Sequence, residues 1–211
     1  MPVSLIVGLG NPGDRYAGTR HNVGFQTADR LLKGAGGRSG AGPPRQGAEP
    51  PRWEASPVGE GAAAKATLGG RDVWLAKPHT YMNESGRMAA ALARYFKILP
   101  ADVLVISDDL DLPLGRLRIR LKGSSGGQRG LDSVLTHLGS TDVPRLRLGV
   151  GPKPGNMDAA AFVLSRFAAS EAEPVEAMVA RAAEAAEACV ARGVAAAMND
   201  FNAAGSPAAD A

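Results

Sequence analysis

Two groups in this 211-residue chain have side chains suited to acid–base chemistry. One is His21, eight residues past the last glycine of the loop Gly8-Leu9-Gly10-Asn11-Pro12-Gly13, with polar neighbours Arg20 and Asn22. The other is Asp108, Asp109 and Asp111, directly after the apolar run Val103-Leu104-Val105-Ile106. A histidine base needs an acceptor on its second ring nitrogen, which fixes the tautomer and stabilises the imidazolium that forms. An aspartate of the cluster can be that acceptor if the two segments meet. The bland readings stand beside it. A single histidine is more often structural than catalytic, and three aspartates can cap a turn or hold Mg²⁺. No second acidic cluster supports a metal, and the three histidines lack ligand spacing, so no metal is expected. His79 and His137 read as structural or surface residues.

The first loop also spells G-x-G-x-x-G. A dinucleotide loop opens straight into a helix whose N-terminus holds the pyrophosphate. Here Pro12 and residues 14–19 intervene. The acidic residue near the required spacing, Asp29, falls on a helix instead of ending a second strand. The match is therefore read as accidental. The three glycines are expected instead to turn the backbone tightly enough to bring Asn11 beside His21.

Basic residues form a second pattern. Arg116, Arg118, Arg120 and Lys122 recur at every second position, and Arg145 and Arg147 repeat the spacing. On strands, each set points to one face. Rows of like charge repel unless an anion answers them, and a phosphate backbone is the expected one. The alternative is a solvated outer face. Net charge is only +3, so placement says more than the total.

Elements that could position these groups follow from the apolar pattern. Ser4–Gly8 reads as a buried strand, followed by a helix that Asn22 caps and that ends by Gly34. Residues 34–61 are crowded with Gly and Pro and read as a flexible surface excursion without regular elements. Within it, Trp53 is either an anchor or a partly exposed aromatic. Gly69-Gly70 divides a hairpin of Lys65–Leu68 and Asp72–Ala76. A helix runs from Asn83 or Ser85 to Lys97. Val103–Ile106 is a central strand ending at the aspartates. Strands at Gly115–Lys122 and Pro144–Gly151 frame a second glycine loop, Gly123–Gly130, and a helix over Leu131–Leu138. A long helix spans about Ser170 to Arg192, with Ser170 and Glu173 at capping-box spacing.

The interleaving predicts a single α/β domain over residues 1–202, with a twisted, mixed, mostly parallel sheet, helices on both faces and a flexible tail at 203–211. If the first strand and the Val103 strand are parallel neighbours, their loops leave on one edge and a pair between His21 and an aspartate of the cluster is in reach. One cysteine excludes an internal disulfide and fits a reducing compartment. No apolar run approaches the roughly 20 residues that cross a bilayer. No signal peptide is read at the N-terminus.

Taken together, the ordered motifs resemble those of the bacterial peptidyl-tRNA hydrolase family. They are Val7-Gly8-Leu9-Gly10-Asn11-Pro12-Gly13, Tyr16, Thr19-Arg20-His21-Asn22-Val23-Gly24, Tyr81-Met82-Asn83 with Ser85-Gly86, Asp108-Asp109-Leu110-Asp111-Leu112-Pro113 with Gly115, and Arg145-Leu146-Arg147-Leu148-Gly149-Val150-Gly151. The resemblance implies a cytoplasmic monomer without cofactor. It would hydrolyse the ester joining a peptide, or an N-blocked amino acid, to the 3′ end of tRNA.

It further implies His21 as general base, Asp108 as the residue orienting it, and Asn11 as a discriminator of blocked from free aminoacyl-tRNA. Tyr16, Tyr81 and Asn83 would contact substrate near the ester, and Asn83 is the candidate oxyanion donor. Arg120 and Arg147 would clamp the tRNA 5′ phosphate, with Arg118 beside them on the basic row. One departure stands out. The family's second glycine loop usually ends in Gly-His-Asn-Gly, and here reads Gly127-Gln128-Arg129-Gly130. Arg129 donates hydrogen bonds but accepts none, so its expected role moves from orienting water to holding a phosphate or carbonyl. The alternative is a non-catalytic RNA-binding relative of the splicing type. The joint presence of His21, Asp108, Asn11 and Asn83 argues against it.

Overall fold

Leu5, Ile6 and Val7 are wholly buried because β1 (Leu5–Gly8) lies between two strands and under helices on both faces. The computed structural model describes residues 3–37 and 50–203. In it, β1 pairs in parallel with β4 (Arg71–Pro78) on one side and with β5 (Val103–Pro113) on the other. β5 pairs in parallel with β7 (Arg145–Gly151). The outer strands β2 (Glu54–Ala55), β3 (Gly61–Leu68) and β6 (Leu117–Arg120) join antiparallel. The order across the seven-stranded mixed sheet is β2-β3-β4-β1-β5-β7-β6. The uniformly apolar runs in β1 and β5 are what a strand covered on both faces requires. Between β3 and β4, Gly69 and Gly70 take φ of +53° and +78°, the left-handed pair that a tight hairpin demands.

Alternate residues of each strand face different helices. α1 (Val23–Gly37), α5 (Ala172–Arg192) and α6 (Val194–Ala203) cover the face carrying Ile6, Leu104, Ile106, Leu146 and Leu148. α2 (Ser85–Tyr95) and α3 (Arg129–Leu138) cover the face carrying Leu5, Val7, Val103 and Val105. Among the described residues, that second apolar cluster takes nothing from β6 or β7. The sheet face bearing the arginines is thus left beside α3. A short helix, α4 (Ala159–Val163), follows β7.

Several expectations change. Residues 20–22 form a 3₁₀ turn and α1 runs from Val23 to Gly37; Asn22 directly precedes it, but its side chain bonds the Asn11 backbone and caps no helix N–H. The Gly/Pro-rich stretch does build a regular element, because β2 pairs with β3. Trp53 is an anchor: its indole N–H donates to Asp29 (2.7 Å), and the Lys77 ammonium lies 4.4 Å from its ring centroid. Residues 38–49 of that stretch, and 204–211 of the tail, lie outside the described residues. β5 does not end at the aspartates but continues through them to Pro113. The Ser170–Glu173 box is replaced by Glu171, whose carboxylate accepts the Ala168 N–H (2.7 Å). Pro174 sits in the first turn of α5, where a missing N–H costs nothing. The sequence pattern also missed α6, whose Asn202 makes two hydrogen bonds to the Ile119 backbone on β6.

The glycine loop is a packing device more than a turn. A Cβ on Gly24 would sit 2.4 Å from the Leu9 carbonyl oxygen and 2.5 Å from that of Ile106, and one on Gly8 would sit 2.4 Å from the Gly24 carbonyl. Of the loop's three glycines only Gly13 has positive φ, +96°. The first turn of α1 therefore lies backbone against backbone on the end of β1 and on β5 at Ile106. Gly24→Ala is expected to lower stability by about 3 kcal/mol or more, since backbone and not a flexible side chain must move. Thermal melting followed by circular dichroism checks this; an unchanged midpoint would contradict the close contact.

Candidate active site

The parallel pairing of β1 with β5 ends at Gly8 and Ile106, so the chain leaving β1 lies beside the residues of β5 just past that point. There His21 Nδ1 lies 2.8 Å from Asp108 Oδ2, although 87 residues separate them in sequence. Asp108 is 3 % exposed, and the His21 side chain is 14 % exposed. A buried carboxylate needs donors on its oxygens. His21 Nδ1–H supplies one, which leaves Nε2 with a free lone pair, the arrangement of an oriented base. The other Asp108 oxygen accepts from Gln128 Nε2 (3.0 Å), and the Gln128 Oε1 accepts the Leu131 N–H (2.6 Å) at the start of α3. The sequence reading followed Arg129 in this loop and passed over Gln128. The available signal was position: a polar side chain three residues ahead of the first apolar residue of a helix.

Asn11 is buried at the same edge. Asn22 clamps its backbone, accepting the Asn11 N–H (2.9 Å) and donating to the Asn11 carbonyl (3.0 Å). The Asn11 side-chain oxygen accepts the Met82 N–H (2.9 Å). Its oxygen is thereby engaged, and the amide NH₂ is the donor Asn11 can offer a ligand.

Arg20, next to His21, is pinned from several sides. Its guanidinium lies 4.5 Å from the ring centroids of both Phe162 and Phe167. It donates to both oxygens of Glu171 (2.7 and 3.0 Å) and to the Val150 carbonyl (3.2 Å). The hydrogen bond from Arg20 holds the Glu171 carboxyl below the usual carboxylate range, more strongly than burial opposes it. The Arg20 N–H also bonds the Ser165 carbonyl (3.1 Å). The turn that carries His21 is thereby fixed to the segment leading into α5.

The other expected contacts spread around this centre. Asn83 lies on the 3₁₀ turn Met82–Glu84 and lines one cleft with Ser125, Arg129 and His137. Asn11, Asn22, Phe25, Lys77 and His79 line a second. His21 lines neither. Tyr81 is exposed (59 %), and Tyr16 is half-buried with the Arg15 guanidinium 4.4 Å over its ring. Arg129 is exposed at the first position of α3.

On the uncovered face, Arg118 stands opposite Arg147 and Arg120 opposite Arg145 in register. The two rows are not equivalent. Arg118 and Arg120 are exposed, whereas Arg145 is 2 % exposed and donates to the Val143 and Ser124 carbonyls (2.8 and 3.0 Å). Arg145 is a brace for the second glycine loop, which corrects its reading as part of an anion-facing row. Arg147 forms an ion pair with Asp109 (2.6 Å). Burial pushes the Asp109 carboxyl up, against the opposing effects of the Asp111 N–H and Arg147.

Removing the anchor of Arg20 has a signed pH signature. Glu171 ionises more readily folded than unfolded, so its contribution is present above its ordinary value of 4.5 and is lost as pH falls through the lower folded value. Glu171→Gln is expected to cost about 2 kcal/mol at pH 7. The gap in melting temperature from the wild type should close progressively below that ordinary value. A gap that stays constant into acid would contradict the ion pair.

Comparison with known proteins accounts for this arrangement. The family model described as "Peptidyl-tRNA hydrolase" matches residues 5–209. The peptidyl-tRNA hydrolase of Elusimicrobium minutum is 46 % identical over 200 residues, covering 95 % of this chain and 99 % of that one. That of Chloroflexus aggregans is 47 % identical over 199 residues, covering 94 % and 98 %. The crystal structure of the Acinetobacter baumannii peptidyl-tRNA hydrolase superposes with a TM-score of 0.83 at 31 % identity over 95 % of each chain. With the whole domain matched in sequence and in fold, the chain belongs to the peptidyl-tRNA hydrolase family.

Proposed function

We propose that the chain hydrolyses the ester linking a peptide, or an N-blocked amino acid, to the 3′ end of tRNA, with His21 as general base and Asp108 as its orienting partner. The observation that carries this reading is the 2.8 Å contact between His21 Nδ1 and Asp108 at the sheet edge, with Nε2 left to take a proton. His21 Nε2 removes a proton from water as the water oxygen attacks the ester carbonyl. Asn83 donates to the oxyanion of the tetrahedral intermediate. The imidazolium, stabilised by Asp108, then returns the proton to the ribose oxygen as the carbon–oxygen bond breaks. Free tRNA and a peptide acid leave. The reaction as written uses only water and these side chains.

The Asn11 amide NH₂ faces the peptide side. An amide donor hydrogen-bonds a peptide carbonyl and gives a free α-ammonium no counter-charge, which favours blocked substrates. Tyr16 and Tyr81 border the ester, and Arg129 holds a phosphate or carbonyl near Asn83. Arg118 and Arg120, with Arg147 held by Asp109, receive the acceptor-stem phosphates on the face that the helices leave open. A monomer in the cytoplasm fits this role and fits the single buried thiol of Cys189.

The test is release of N-acetyl-amino acid from N-acetyl-aminoacyl-tRNA, run beside free aminoacyl-tRNA. The wild type should turn over the first and spare the second. His21→Ala should lose about 10²–10⁴-fold in kcat. Wild-type turnover by His21→Ala would remove His21 as the base, and tRNA binding without any turnover would favour the non-catalytic reading. Separately, Arg120→Gln is expected to raise KM while leaving kcat near wild type, and to reduce the salt slope of binding by about one. An unchanged salt dependence would take Arg120 off the RNA path.

A further inference from the structure

The second Asp108 oxygen has a partner that the reaction as written does not use. Gln128 ends the loop that starts at Gly123 and directly precedes α3. Its orientation follows from its neighbours: the Leu131 N–H can only donate, so the amide oxygen must face it (2.6 Å), and the NH₂ must face Asp108 (3.0 Å). Met82 Sδ lies 3.5 Å from the same nitrogen.

The loop that delivers Gln128 is itself built in. Arg145, buried, donates to the Ser124 carbonyl (3.0 Å), the Gly123 N–H donates to the Thr141 carbonyl (3.1 Å), and Ser125 Oγ bonds Asp132 (3.2 Å). A carboxylate held through one oxygen can swing about its terminal torsion. Held through both oxygens, by groups on two different elements, it has a single orientation.

We infer that Gln128 is a positioning residue, whose amide fixes the Asp108 carboxylate in the orientation that holds His21 as a base. The inference rests on the hydrolase reading for its kinetic consequence, but not for its structural one. It makes the short α3 cap and the base parts of one hydrogen-bonded chain, Leu131 N–H to Gln128 to Asp108 to His21. It also separates the two residues of the unusual Gln128-Arg129 pair. Gln128 acts inward on the base, and Arg129 points out to the cleft.

Two substitutions divide the cap from the positioning role. Gln128→Glu keeps an oxygen for the Leu131 N–H, favourable at a helix N-terminus, but loses the donor to Asp108. Gln128→Met keeps the size and loses both. Both should lower kcat about tenfold or more, with KM for Gln128→Met within about twofold of wild type. Melting should fall for both variants, since each leaves the buried Asp108 oxygen without its donor, and ring-proton exchange and kcat carry the distinction. In both variants the His21 Nδ1–H, followed by NMR, should exchange with solvent at least about tenfold faster than in the wild type.

Unchanged kcat and unchanged ring-proton exchange in Gln128→Glu would overturn the proposal and leave Gln128 as a helix cap only. The exchange measurement needs no substrate. A wild type without turnover would therefore refute the hydrolase reading while the positioning claim is still decided by the ring proton.

Discussion

The first turn of α1 rests backbone on backbone against the end of β1 and against β5 at Ile106, and the site depends on that contact. Gly8 and Gly24 permit it, because any side chain at either would meet a carbonyl oxygen. The consequence is positional. His21, one turn earlier, hangs over the strand that carries Asp108, and the parallel register of β1 with β5 brings both to the same edge. Arg20 then closes the other side by gripping Glu171 between two phenylalanines. His21 is thus held by its neighbour in sequence and by its partner in space, and neither hold relies on a mobile surface group.

Because β5 continues through its aspartates, adjacent carboxylates serve opposite faces of the sheet. Asp108 turns toward His21, and Asp109 toward Arg147. One dipeptide therefore joins the proposed hydrolytic centre to the basic face that α2 and α3 leave uncovered. The Gly123–Gly130 loop lies between the two. It is braced by Arg145 on the basic side, and it ends in Gln128 on the catalytic side.

Much of this was legible in the residues, for reasons that are local. The continuous apolar runs of β1 and β5 require burial on both faces, which makes them central neighbours. Gly69-Gly70 can only be a tight turn. The parallel pairing of those two strands was only a condition in the sequence; the structure supplies it and brings His21 within 2.8 Å of Asp108. What was not legible depends on groups that pattern cannot place. Alternation correctly put Arg145 and Arg147 on one face, but not the loop that buries Arg145 or the aspartate that pairs with Arg147. Asn22 looked like a helix cap because Asn is a good one; tertiary contact gave its side chain to the Asn11 backbone instead. Gln128 drew no attention because glutamine is a poor cap by propensity, and its value lies in a carboxylate twenty residues back in the chain. The family resemblance supplied Asp108 and His21 as a pair; the geometry supplied the third member.

The central claim is that Asp108 acts as an ionised acceptor that sets the tautomer of His21. The most direct measurement is steady-state hydrolysis of N-acetyl-aminoacyl-tRNA by Asp108→Asn, beside its melting temperature. The substitution keeps shape but replaces one acceptor oxygen with a donor. The account predicts a loss in kcat of about 10³–10⁴-fold with KM and folding largely kept, since the imidazole would present the wrong nitrogen. A folded Asp108→Asn variant within tenfold of wild-type kcat would contradict it.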